Sequence, residues 1–273
     1  IARAIMKYKK QYRIDYIVDY RDKDALKTIK KAQTVFLYDV PSLQRSEIIR
    51  FCYKEKKNIY MNPEMEDIVE INAQYYLLDD VSVINANVKA WTMEQRVMKK
   101  LMDMGLAILL GILTSPIWLV SAIAIKAYDG GSIFFKQKRA TIHGRVFEVY
   151  KFRTMRENVE NRSVTDDDDR ITKPGKILRK TRMDELPQLI NILKGDMSFV
   201  GPRPEMLENV EAYEEELPEF RYRLRVKAGL TGYAQIAGKY NTSPKDKLIM
   251  DMMYIEQFSI VRDIQLMFQT LIV

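Results

Sequence analysis

The sequence predicts an α/β amino-terminal region, then an apolar segment of membrane type, then a compact, mainly helical α+β region. Three observations carry that division. Residues 14–84 alternate short β-type runs with helix-like ones, residues 105–125 contain no charge, and residues 127–273 are dense in charge and interrupted by glycine and proline. The expected boundaries are 1–90, 91–126 and 127–273. A length of 273 residues allows one or two cores beside the apolar segment.

In the first region IDYIVD, TVFLYDV, NIYM, YYLL and VSVI read as strands, whereas SLQRSEIIRFCYKEKK after Pro41 and PEMEDIVE read as helical. Strands separated by helical patterns predict a largely parallel sheet. This stretch has no glycine-rich phosphate loop, so a structural or regulatory role is expected of it. The single cysteine, Cys52, cannot form an internal disulfide and excludes a zinc site built on thiolates; it reads as a small apolar core residue. The opening IARAIMKYKKQYR lacks the apolar core of a secretory signal and the chain starts at Ile1, so a trimmed product is expected.

From Gly105 to Ile125 there are 21 consecutive uncharged residues, about 30 Å of helix and enough for one bilayer crossing. Ser115 and Pro116 fall at its middle, where proline removes a backbone donor and a kink is expected. Arg96, Lys99 and Lys100 precede the run, and Lys126, Lys136, Lys138 and Arg139 follow it. Positive charge on both flanks favours a re-entrant helix-break-helix, with both ends on the cytoplasmic side, over a kinked full span.

In the third region GSIFFKQKR and RVFEVYKFRTM read as two β-runs joined by the TIHG turn. NVENRSVTDDDDRITKPG reads as a mobile polar loop, its four aspartates at 166–169 a solvated run in preference to a metal site. Near the carboxyl end KLIMDMMYIEQFSIVRDIQLMFQTLIV predicts two helices on either side of Phe258 and Ser259, for a core or, in the more amphipathic part, a membrane surface. The 44 Lys and Arg against 37 Asp and Glu give a net charge of +7, which attracts nucleotides, nucleic acid or an anionic membrane without choosing among them.

The stretch TRMDELPQLINILKGDMSFVGPRPE, residues 181–205, concentrates the chemistry. Leu186, Leu189, Ile190 and Leu193 repeat at helical spacing, Pro187 is tolerated in the first turn, and Gly195 supplies the stop. Asp184 then lies at or beside the helix start, where a plain capping role is one reading. The other begins from its neighbours. Glu185 is adjacent, Arg179, Lys180 and Arg182 precede it, Lys151 and Arg153 come from the KFRTM strand end, and Arg203 sits in a turn stiffened by Pro202 and Pro204 after Gly201. Arginine forks suit phosphate oxygens, while carboxylates repel a phosphate unless a divalent cation bridges them. Together these side chains suggest a phosphorylated substrate with Mg²⁺, or a carboxylate acting as nucleophile toward phosphorus.

KFRTM at 151–155, RMDELPQLINILKGDMSFVGPRPE at 182–205 and KAGLTGYAQIAGK at 227–239 closely resemble the bacterial sugar transferase family, the monotopic polyprenyl-phosphate phosphoglycosyl transferases that start lipid-linked glycan assembly. The likeness covers residues 95–273. It implies a re-entrant membrane helix broken at Ser115 and Pro116, which places a catalytic domain at the cytoplasmic face of the bacterial inner membrane. It further implies that Asp184 attacks the β-phosphorus of a UDP-sugar, that UMP leaves, and that polyprenyl phosphate takes the sugar phosphate from the aspartyl intermediate. Glu185 is then the Mg²⁺ ligand, and Lys151, Arg153, Arg182 and Arg203 contact the substrate. The implied partners are UDP-sugar, polyprenyl phosphate, the bilayer and a second copy of the chain, with nucleic acid not among them. The expected setting is exopolysaccharide, capsule or O-antigen assembly.

The chain departs from the family pattern at Arg139, Ala140 and Thr141, where many relatives have Arg-x-Gly, and at Tyr233, where a tryptophan is usual. The only histidine, His143, reads as a surface turn residue. Two rival readings are a membrane-associated nucleotide-sugar hydrolase that uses Asp184 and Glu185 only as metal ligands, and a scaffold whose Arg203 turn binds anionic headgroups.

Overall fold

A computed structural model describes residues 11–86, 90–156, 168–238 and 242–272. The first ten residues, Asp166, Asp167 and Lys239 therefore lie outside the described residues, as does most of the polar loop expected before Lys173. The chain forms two compact units, Ile1–Glu66 and Asp67–Val273.

In the first unit, α1 (Ala25–Lys31), β1 (Thr34–Leu37), α2 (Ser42–Lys54) and β2 (Asn58–Met61) follow in order, and β1 pairs with β2 in parallel from Thr34↔Asn58 to Leu37↔Met61. Alternate residues of β1, Val35 and Leu37, face Ile48 and Cys52, which lie one turn apart on α2. Cys52 is fully buried, as its apolar reading requires. IDYIVD forms no strand, so the parallel sheet in this unit has two strands among the described residues.

After α3 (Met65–Val69), the two runs read as further parallel strands form an antiparallel hairpin instead, β3 (Gln74–Leu78) and β4 (Val81–Asn85). Only Asp79 and Asp80 separate them, with Asp79 at a φ of 60°. A two-residue connection with a left-handed residue closes a hairpin and cannot carry the crossover that parallel strands need.

Helix α4 (Met93–Asp129) is one continuous helix of 37 residues, opened by a capping box between Thr92 and Gln95 and closed by Gly130 at a φ of 71°. The expected interruption at Ser115 and Pro116 does not break its helical hydrogen bonding. The reason is local. Pro116 cannot donate to the carbonyl four residues back, that of Ile112, but the Ser115 hydroxyl donates to that same oxygen at 2.8 Å. Hydroxyl donation of this kind is how apolar helices tolerate proline. Thr114 donates likewise to the Leu110 carbonyl at 2.7 Å, and the Trp118 indole donates to Thr114 at 3.2 Å.

This helix is long and apolar enough to cross a membrane, and only 11% of its most apolar window is buried within the protein. Its buried positions, Lys99, Asp103, Ala107, Ser121 and Ile125, lie along one face that continues through half-buried Gly111, Thr114 and Trp118. Outside that face Ile108, Leu109, Ile112, Leu113, Leu119 and Val120 are exposed.

Strands β5 (Phe134–Ala140) and β6 (Val146–Phe152) form the expected antiparallel hairpin, with exposed His143 at a φ of 57° in its turn. Then come α5 (Lys173–Lys180), α6 (Gln188–Lys194), β7 (Met197–Val200), α7 (Leu207–Glu216), β8 (Ala228–Thr231), α8 (Tyr233–Ala237), α9 (Pro244–Glu256) and α10 (Ile260–Ile272). The break between α9 and α10 falls at Phe258 and Ser259 as read from the sequence. Strands β7 and β8 are parallel, and β7 is buried along its whole length.

Both ends of α4 pack on this unit. At one end Lys99 pairs with Asp263 of α10 at 2.5 Å, and Asp103 accepts the Phe199 amide of β7 at 3.2 Å. At the other end Ile125 packs with Phe152 and Leu178, while the Arg153 guanidinium pairs with Asp129. One of the four aspartates read as solvated is buried: Asp168 is 5% exposed and accepts Arg170 Nε at 2.7 Å.

Candidate functional site

The two carboxylates stand on a 3-10 turn, Met183–Glu185, entered through Arg182 at a left-handed φ of 56°. Its apolar flanks fix it. Met183 and Leu186 pack on the Ile125, Phe152 and Leu178 cluster, leaving Asp184 and Glu185 half-buried between them in sequence. Asp184 is therefore not the cap of α6, whose preceding residue is Pro187. Proline at that point starts a helix without losing an intrahelical bond.

Helix α6 is tied to β6 by Asn191, which is fully buried. Its side-chain oxygen accepts the Tyr150 amide at 2.9 Å and its side-chain nitrogen donates to the Glu148 carbonyl at 2.7 Å. Ile192 is buried whereas Leu193 is exposed, so the inward face is rotated from the apolar spacing read in the sequence. Gly195 ends the helix at a φ of 79° as expected.

Lys151 on β6 points away from its buried neighbour Phe152, as strand alternation requires, and its ammonium meets Glu185 Oε1 at 2.5 Å. Burial pushes the Glu185 carboxyl up, but Lys151, Arg203 and Arg182 outweigh it and hold the group below its ordinary value. Burial raises Asp184 above its ordinary value, with the Glu185 charge adding to the effect and Lys151 and Arg179 opposing it. Two adjacent carboxylates are thus pushed in opposite directions, a pattern that separates roles in catalytic pairs.

The other expected contacts divide. Arg182 and Arg203 are exposed and their charges reach Glu185. Arg153 is 6% exposed, its guanidinium donating to Asp129 and, at 2.6 Å, to the Ser132 carbonyl. Arg179 donates to the Thr154 hydroxyl at 2.8 Å. The Gly201 turn follows β7 and lies against β8, where a Cβ on Gly201 would come within 2.4 Å of the Lys227 carbonyl. Gly229 donates to the Pro202 carbonyl at 2.8 Å.

Among the described residues, no group of three or more His, Cys, Asp or Glu side chains could hold a metal ion. Asp184 and Glu185 offer two carboxylates, with one Glu185 oxygen on Lys151. That set suits Mg²⁺, which characteristically takes one or two protein carboxylates and completes its shell with phosphate oxygens and water.

Sequence reasoning missed Asn191, Asp129 and the buried pair of Arg223 with Asp251, whose side chains meet at 2.7 Å. Asn191 carries a readable signal, an amide on an otherwise apolar helix face. The others carry no local signal, since Asp129 and Asp251 meet arginines 24 and 28 residues away.

A family model described as bacterial sugar transferase matches residues 94–273. An Aeromonas hydrophila protein named UDP-N-acetylgalactosamine-undecaprenyl-phosphate N-acetylgalactosaminephosphotransferase is 40% identical over 179 residues, 63% of this chain and 42% of its own length. Two proteins named UDP-glucose:undecaprenyl-phosphate glucose-1-phosphate transferase are also similar. The Caulobacter vibrioides one is 37% identical over 180 residues, 63% of this chain and 67% of its own, and the Escherichia coli one 38% identical over 183 residues, 64% and 39%. The matched region thus spans well under half the length of the first and last of these relatives.

Proposed function

The chain belongs to the bacterial sugar transferase family, and from that membership we propose that it transfers a sugar 1-phosphate from a UDP-sugar to a polyprenyl phosphate, with Asp184 as nucleophile. The observation that carries this reading is the pair of oppositely shifted carboxylates, beside Lys151 and within reach of the Arg182 and Arg203 charges. It lies in the region matched by the family.

In the first step an Asp184 carboxylate oxygen forms a bond to the β-phosphorus and the bond from that phosphorus to the bridging oxygen breaks, so UMP leaves with the electron pair. In the second, a phosphate oxygen of polyprenyl phosphate attacks the same phosphorus and the carboxylate departs, which yields polyprenyl-diphospho-sugar and regenerates Asp184. Lys151, Arg182 and Arg203 stabilise the anionic donor and the charge that develops on the leaving phosphate. Arg153 enters as support, holding the end of α4 against β6 through Asp129. Glu185 would hold Mg²⁺, which would supply neutralisation of the diphosphate when bound.

Membrane association follows from the exposed apolar middle of α4. The re-entrant reading rests on the basic residues that flank α4 on both sides, and it requires this continuous helix to bend at Pro116 so that both ends meet one membrane face. Both flanks and the carboxylates then share the cytoplasmic side of the inner membrane, where an isoprenoid stays in lipid while its phosphate reaches Asp184. The proposed setting is exopolysaccharide assembly, and a homodimer is the proposed form.

The test is UMP release by the purified protein over a panel of UDP-glucose, UDP-galactose and UDP-N-acetylgalactosamine, with and without polyprenyl phosphate. Release that depends on the lipid acceptor is expected with at least one donor. Soluble sugar phosphate as the main product, independent of acceptor, would replace the transferase reading with hydrolysis.

A further inference from the structure

The turn that carries Arg203 poses a holding problem. Pro202 and Pro204 have no amide proton, so each can be held by a backbone hydrogen bond only through its carbonyl. All three successive carbonyls accept a bond. The Pro202 oxygen takes the Gly229 amide at 2.8 Å, the Arg203 oxygen takes Arg223 Nη2 at 2.7 Å, and the Pro204 oxygen takes Arg139 Nη1 at 3.2 Å. The first donor is β8 backbone. The other two are long side chains that must themselves be anchored.

Arg223 is anchored more firmly than a surface arginine. Its side chain and that of Asp251 on α9 are each 2% exposed. Nε and Nη2 reach the same Asp251 oxygen at 2.8 and 2.7 Å, and the guanidinium lies over the Phe220 ring at 4.7 Å from its centroid. A buried ion pair is a poor source of stability, because an apolar pair of similar volume often does as well. What an apolar pair cannot do is donate to a carbonyl. The planar fork of arginine joins a carboxylate on α9 to the Arg203 oxygen, a bridge that a lysine ammonium cannot reproduce.

We infer that the Arg223–Asp251 pair is a positioning device for Arg203: it fixes the backbone of the proline turn so that the Arg203 guanidinium is presented to the donor diphosphate beside Glu185. The inference rests on the proposed reading of Arg203 as an anion contact. Arg223 itself touches no substrate. Its influence passes through one carbonyl, so it vanishes when the Arg203 side chain is absent.

That dependence gives the test. Binding of UDP with Mg²⁺ is measured by calorimetry, and the donor KM and kcat by UMP release, for the wild type, Arg223→Lys, Arg203→Ala and the double variant. The expected result is binding weakened, and KM raised, by about tenfold in Arg223→Lys, the scale of one hydrogen bond to a charged group. In the Arg203→Ala background the same replacement adds nothing. Equal losses in both backgrounds, or none in the wild type, would overturn the inference. Should Arg223→Lys not fold, Asp251→Asn replaces it, with a smaller loss in the same direction that again disappears with Arg203→Ala. UDP binding with the expected coupling but no acceptor-dependent UMP release would leave the positioning role standing and remove the transferase reading. Acceptor-dependent release with multiplicative losses would do the reverse, and a wild type that binds no UDP would remove both.

Discussion

Replacing Ser115 by alanine isolates how an apolar helix carries a proline at its centre. In the wild type the Ile112 carbonyl, left without its usual amide by Pro116, accepts the Ser115 hydroxyl at 2.8 Å. Alanine removes that donor. In the proposed membrane placement the oxygen then lies on the exposed apolar stretch of α4, out of reach of water, so nothing replaces the bond. An unsatisfied carbonyl of this kind costs about 1–3 kcal/mol. Pro116→Ala returns an amide proton to that oxygen, so the double variant should regain most of the loss, a coupling far outside the few tenths expected of independent sites. Thermal unfolding of the four proteins in one detergent, with circular dichroism for helix content, reads the cycle. Additive effects, or a Ser115→Ala protein as stable as the wild type, would refute the argument.

Three further outcomes follow from the site. Burial raises the Asp184 pKa, so in the protein without Mg²⁺ the carboxylate should titrate above the ordinary aspartate value of about 3.9, read by NMR of the labelled side chain. Lys151→Met removes a charge that lowers that pKa and should move the metal-free titration further up; a wild-type titration at or below the ordinary value would contradict the burial argument. Arg153→Ala removes a buried guanidinium from its bonds to the carboxylate of exposed Asp129 and the Ser132 carbonyl and should lower stability by about 1–2 kcal/mol in thermal unfolding while leaving the donor KM of the folded protein unchanged. Asn191→Ala leaves the Tyr150 amide and Glu148 carbonyl without their side-chain partner and should cost about 2 kcal/mol, detached from any change in pH profile.

The features legible in the sequence were those written in local chemistry. The β5–β6 hairpin needs only two alternating runs and a glycine turn, and the stop at Gly195 needs only a residue free to adopt a positive φ. The carboxylate pair and the proline-flanked Arg203 were visible as clusters of charge with restricted backbone. The β3–β4 pairing was misread because apolar alternation reports a strand but not its partner, and the Asp79–Asp80 turn that decides direction lacks the usual glycine. The continuity of α4 was hidden in a serine that looks like part of the break and instead mends it. Arg153 reads in the sequence as a substrate contact, and Arg223 carries no local mark of burial. Their partners Asp129 and Asp251 lie 24 and 28 residues away, a separation that no local spacing rule reaches.

The central claim is that Asp184 carries the sugar phosphate between two substrates. Intact-protein mass spectrometry after mixing the purified protein with a competent UDP-sugar and Mg²⁺ tests it most directly. A covalent sugar-phosphate adduct is expected on the wild type, formed with release of UMP, absent from Asp184→Asn and discharged by polyprenyl phosphate. An adduct of normal yield on Asp184→Asn, or lipid product formed without any adduct on the wild type, would contradict it.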